Sequence, residues 1–124
     1  MGIAVWRFVL KSLMFGKNLS YIPNAFILLQ ENFLEELFSL TDQLRRASNS
    51  IGANIAEGSG SNSRKDFAHY LDISIKSTFE TVSHLYLAKE LNYIDEEMRK
   101  ELYAEAEILV KRIKAYKNWL LKSS

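Results

Sequence analysis

Seven cations hold the spacing in this chain that could do chemistry: Arg45 with Arg46, Arg64 with Lys65, and Lys111, Lys114 and Lys117. Guanidinium and ammonium groups collected on one surface bind phosphate oxygens. By releasing condensed counterions they give a salt-dependent affinity for nucleic acid that needs no base readout. Arg64, Lys65, Lys111, Lys114 and Lys117 are the stronger candidates, because Arg64-Lys65 opens a predicted helix and the three lysines lie in the last part of another. Neighbouring residues on a helix stand about 100° apart, so Arg45 and Arg46 cannot both face a core. One of the two can pair with Asp42 at four-residue spacing. A solvated, ion-paired helix surface is the plainer reading of the same residues.

Other chemistries find less support in the residues. His69 and His84 are fifteen positions apart on one predicted helix, which separates them by roughly 22 Å and forbids a shared metal. Gly58-Ser59-Gly60 lacks the preceding strand of a phosphate cradle, and no Walker loop, dinucleotide fingerprint or paired-histidine zinc motif occurs. Serines near carboxylates need a histidine base and an exposed nucleophile to form a triad, and no nucleophile elbow is present. Glu57 beside Gly58 reads as a helix-end residue and not as a general base. The expectation is a noncatalytic protein with no cofactor and no metal.

Composition agrees with a folded domain that has no strong electrostatic bias. The 124 residues suit one domain, expected to span 1–124, with 48% hydrophobic content and an ordinary 25% of charged residues. Sixteen basic against fifteen acidic residues leave a formal charge of +1, so binding to nucleic acid needs a local patch. There is no cysteine, which removes disulfides and thiolate sites and suits a reducing cytoplasm. Ile3 to Phe15 is apolar, but Arg7 and Lys11 interrupt it and no small-residue cleavage pattern comes after it, so export is not the expectation. No uncharged apolar run reaches about 18 residues, and no membrane contact is expected.

The elements that must position those cations are helices, since one proline and five glycines supply too few breaks for an all-β domain. Leu37, Leu40, Leu44, Ala47, Ile51 and Ile55 draw one helical stripe, with Gly58 predicted to end it as a left-handed residue. Ser63 and Asp66 have the spacing of a capping box, and Phe67, Leu71, Ile75, Phe79, Val82 and Tyr86 continue as the next stripe, a rod of roughly 40 Å. On another face of that rod Ala68, Asp72, Ser77, Thr81 and Ala88 are small or short, a surface on which a second subunit could pack or which could simply meet solvent. After Asn92-Tyr93, Asp95 caps a last helix whose stripe is Met98, Leu102, Ala106, Leu109, Ile113, Tyr116 and Leu120. Before Phe33, Gly16 and Pro23 divide two apolar stretches, which predicts a first helix that is irregular near Pro23.

From Gln43 to Gly60 the chain resembles the four-helix bundle family encoded by intervening sequences in bacterial 23S rRNA genes, often labelled ribosomal protein. The resemblance rests on Phe33, Glu36-Leu37, Leu40-Thr41, Gln43-Leu44-Arg45-Arg46-Ala47, Ser50-Ile51, Asn54-Ile55-Ala56-Glu57-Gly58 and Ala88-Lys89-Glu90-Leu91, and it covers Phe33 to about Leu121. Leu34 and Gly52 stand where that family commonly has proline. The resemblance implies an all-α, antiparallel up-down four-helix bundle that assembles with copies of itself, as a homopentameric ring, and has no enzymatic activity. At fold level it also extends to the accessory protein of diversity-generating retroelements, a basic barrel that engages nucleic acid and a protein partner. In a ring, repeated patches add their fields, so RNA or DNA is one expected partner. A scaffold that binds only protein is the alternative.

Overall fold

The computed structural model describes residues 31–123, and among these every regular element is α-helical. Helix α1 runs Glu31–Ser59, α2 Arg64–Glu90 and α3 Glu96–Lys122. The expected first helix and its break at Pro23 lie outside the described residues. Helix α2 is central and packs against both α1 and α3, while α1 and α3 approach each other far less. Both pairs are antiparallel: Ser50 meets Ser77 at one level of α1 and α2, and Gly58 meets Phe67 and Tyr70 at the next. On the other side Phe67 lies by Tyr116 and Tyr86 by Tyr103.

The helix ends show how the sequence stops each rod. Helix α1 does not end on a left-handed glycine, because no described glycine has a positive φ. Its last carbonyls are met instead by donors from the adjoining turn. Gly60 N–H donates to Glu57 O and Ser61 N–H to Gly58 O, each at 3.1 Å, and Ser59 Oγ donates to Ala56 O at 2.6 Å. With those acceptors satisfied, no reversal of backbone hand is needed. Gly58 is required for a different reason, since a Cβ there would lie 2.7 Å from Tyr70 Cβ and 2.7 Å from Phe67 Cδ2.

Ser63 caps α2 by accepting from Asp66 N–H at 3.0 Å, the serine half of the predicted box. The left-handed residue belongs to the other end of α2, where Asn92 has φ 61°. Tyr93 N–H donates to Ala88 O at 2.9 Å and Asn92 N–H to Lys89 O at 3.0 Å, the two bonds of a Schellman stop. Asp95 then caps α3 through Met98 N–H at 2.7 Å, and Glu96 and Glu97 fill the first turn, where the helix dipole favours anions.

The stripes predicted for α1 and α3 are the observed core. Leu37, Leu40, Leu44, Ala47 and Ile51 are buried from α1 and Leu102, Ala106, Leu109, Ile113 and Leu120 from α3, with Ile55, Met98 and Tyr116 packed partly against them. Helix α2 differs. Leu71 and Ile75 are buried, but Phe79 and Tyr86 are 55% and 45% exposed, while Ala68, Ser74, Ser77, Thr78, Thr81 and Ala88 lie inside. The small face predicted to meet a second subunit is therefore used within the chain.

The reason is close approach. Small side chains let the α1 and α2 backbones come near enough for Ser74 Oγ to donate to the Ile51 carbonyl at 2.9 Å and for the Ser50 and Ser77 hydroxyls to meet at 2.8 Å. Thr78 and Thr81 donate to the carbonyls of Ser74 and Ser77 in their own helix, so each of these buried hydroxyls has a partner. Turning this row inward rotates the outer aromatic positions toward water.

Candidate nucleic-acid interface

The seven cations do not form one patch. Arg46 pairs with the Asp42 carboxylate on the open face of α1, with side chains 79% and 55% exposed. Such a pair is worth about 0.3–0.5 kcal/mol and chiefly neutralises the local field. Arg45 is half-buried beside it, and among the described residues its Nε has no hydrogen-bond partner. Both stand roughly 20 Å, about four helical turns at 1.5 Å per residue, before the end of α1 that lies near Arg64. Arg45 and Arg46 thus stand apart from the Arg64-Lys65 pair, because they belong to the middle of α1.

Lys117 is also engaged: its Nζ donates to Asp72 Oδ1 at 2.7 Å, joining α3 to α2 in a partly buried pair. The short Asp72 of the supposed subunit face thus has an internal role. Lys111 lies 3.6 Å from Glu107 on the exposed surface of α3. Lys114 is exposed one turn further on. Arg64 and Lys65 are exposed in the first turn of α2.

Two surface features accompany these residues. Between α2 and α3 a groove of about 240 Å³ is lined by Phe79, Val82, Tyr103 and Val110, with Lys111 and Lys114 along it. At the bundle end near Arg64, Phe67 sets its edge to Tyr116 with centroids 5.5 Å apart, and Tyr116 stacks on Trp119 at 5.6 Å and 19°. Sequence reasoning missed Trp119. The available signal was its place on α3, three residues beyond Tyr116 and seven beyond Arg112, which puts all three on neighbouring parts of one face.

At the opposite end the charges answer one another. Arg99 grips Glu96 through Nε at 3.0 Å and a second nitrogen at 2.6 Å, and lies 4.6 Å from the centre of the Tyr86 ring. The Arg99 hydrogen bond holds the Glu96 carboxyl below its ordinary range, and the same bond raises Arg99. A guanidinium so occupied has few donors left for a phosphate. His84 Nε2 is 3.6 Å from Glu80, whereas His69 is exposed beside Tyr70. Among the described residues no three histidines or carboxylates gather to hold a metal ion.

Known proteins share this arrangement of helices. The family described as 23S rRNA-intervening sequence protein matches residues 20–115. The chain is also similar to a crystal structure from Bacteroides thetaiotaomicron, described as a protein with unknown function from the S23 ribosomal protein family. The identity is 25%, over 92% of this chain and 94% of that one, with a TM-score of 0.73. No curated protein matches significantly. Neither matching description names a retroelement protein.

Proposed function

The chain belongs to the family of 23S rRNA-intervening sequence proteins, and from that premise we propose that it is a noncatalytic interaction protein that assembles with copies of itself and offers cations to nucleic acid. The observation that carries the self-assembly reading is the groove between α2 and α3, where Phe79 and Tyr103 are 55% and 42% exposed. Contiguous apolar surface of this kind marks an interaction site more often than a solvated helix face. A ring of five copies would repeat each free cation about its axis and add fields that one chain of charge +1 does not supply.

Four-helix closure belongs to the same proposal. The sparse approach of α1 to α3 fits diagonal members of a four-helix bundle. The noncatalytic reading is supported by the way titratable groups resolve into local ion pairs, as Arg46 with Asp42, Lys117 with Asp72 and Arg99 with Glu96. The cysteine-free sequence fits a cytoplasmic setting. No described helix is long and apolar enough to cross a membrane.

Light scattering at micromolar concentration tests the assembly. The expected mass is a multiple of the 14.3 kDa chain, five copies for the ring, and a single species of 14.3 kDa would remove the proposal. Retention of mixed RNA and DNA at two salt concentrations tests the partner. Affinity that falls with salt supports cation contact. Assembly without retention supports the alternative, a protein-binding scaffold, which is favoured by the ion pairs that already occupy Arg46 and Lys117.

A further inference from the structure

We infer that Trp119 is a stacking platform for a base of single-stranded nucleic acid, held among four cations that contact the strand's phosphates. The inference rests on the nucleic-acid reading above and adds a strand preference to it. Trp119 is 55% exposed although it is among the largest apolar side chains on the surface. One side of its ring is backed by Tyr116, at an interplanar angle of 19°, and Tyr116 is in turn met edge-on by Phe67 from α2. Directly beside this stair the Lys117–Asp72 pair ties α3 to α2 at 2.7 Å. The outer ring is therefore supported before any ligand arrives, and little side-chain freedom remains to be lost on binding.

Charge complementarity selects the occupant. Arg112 lies seven residues before Trp119, two turns back on the same side of α3, and Lys122 lies one turn beyond it. Arg64 and Lys65 begin α2, one turn before the Phe67 that touches the stair, so the antiparallel pairing brings them to the same bundle end. All four are exposed, and among the described residues none of them is in an ion pair. Lys117, by contrast, is neutralised by Asp72, so it acts as a strut and not as a phosphate ligand. An exposed aromatic face with unpaired cations about it matches a base and its flanking phosphates, the usual arrangement for single strands. A duplex keeps its base faces stacked inside and would meet only the cations.

The test uses the full chain, a fluorescein-labelled 20-nucleotide RNA and its duplex, with anisotropy measured at two or more salt concentrations. The single strand is expected to bind more tightly than the duplex. Trp119→Ala should weaken it roughly ten- to hundredfold, as removal of one base–aromatic stack does, with the salt slope unchanged. Trp119→Phe should restore most of that loss, and a circular dichroism melt of both variants separates lost stacking from lost folding. The double change R64A/K65A should instead lower the magnitude of the log–log salt slope by about 1.4, at about 0.7 per phosphate. Salt-dependent binding that is indifferent to Trp119→Ala, or equal for strand and duplex, overturns the stacking inference and keeps the phosphate reading. No binding of either nucleic acid at low salt removes both.

Discussion

At the scale of single residues the glycine before the α1 stop decides whether two helices can meet. Alanine in place of an interior helix glycine ordinarily gains up to about 1 kcal/mol. At Gly58 the added Cβ would come within 2.7 Å of Tyr70 Cβ, an atom fixed to its own helix, and within 2.7 Å of Phe67 Cδ2. Overpacking of this kind costs about 1–3 kcal/mol, so Gly58→Ala is expected to lower stability by about 1 kcal/mol or more in urea melts. A variant as stable as the parent would show that the crossing is looser than 2.7 Å implies. The glycine itself was legible as punctuation, but its purpose was not, because a helix stop and a close approach look alike until the partner helix is placed. Tyr93 carries a second residue-scale consequence. Its side chain is 2% exposed, and burial first, then the charge of Glu36, raise the phenol above its ordinary 10.0. The neutral form is favoured in the folded state, so this contribution is whole below the ordinary value and is lost as pH rises through the higher folded value. Thermal melts should therefore fall in temperature above about pH 10, and Tyr93→Phe should show a flatter decline over that window. An identical decline in the variant would assign the effect to other groups.

Among elements, the α1–α2 seam is built from hydroxyls where a core of large apolar side chains was the expectation. Ser74 is fully buried and donates to the Ile51 carbonyl across the seam at 2.9 Å. Ser74→Ala removes that bond and little volume, with an expected cost of about 1 kcal/mol. Ser74→Leu removes the same bond and inserts a branched side chain between close backbones, so the expected cost is larger, about 2–4 kcal/mol. Denaturant midpoints of the two variants check the order. Equal losses would mean that the seam has room and that the bond alone matters. This contrast also explains what could be read from the chain. The α1 and α3 stripes were plain because Leu37, Leu44, Leu102 and Leu109 repeat at helical spacing, and large aliphatic residues have one sensible destination. Helix α2 offered two candidate faces. Phe79 and Tyr86 carry far more apolar surface than Ser74 and Thr78, yet a hydroxyl that donates to a backbone carbonyl can be buried with its hydrogen bond made. Asn92 was hidden in the same way, since asparagine tolerates the left-handed region without announcing it as glycine does.

For the whole molecule, the placement of the cations makes assembly and binding a single question. Of the seven predicted cations, Arg46, Lys111 and Lys117 stand beside carboxylates, and Arg45 is half-buried in the middle of α1. One chain with a formal charge of +1 therefore presents a weak field, and appreciable affinity requires either stacking or summation over copies. The groove lined by Phe79 and Tyr103 separates these routes, because changing it need not alter charge or core. In a lone chain the double substitution Phe79→Gln with Tyr103→Gln falls on side chains that are about half exposed, so stability should move by only about 0.5 kcal/mol per site. In an assembly that covers the groove, the same amides are buried without built partners at about 1–3 kcal/mol each in every copy. The expected result is loss of the assembled mass in light scattering, down to 14.3 kDa, with the helical circular dichroism and the melt of dilute protein preserved. Nucleic-acid affinity should then fall and its salt slope become shallower, since fewer cations act on each strand. An unchanged mass would move the interface elsewhere, and a reduced mass with an unchanged slope would leave the cations of one copy sufficient for the strand.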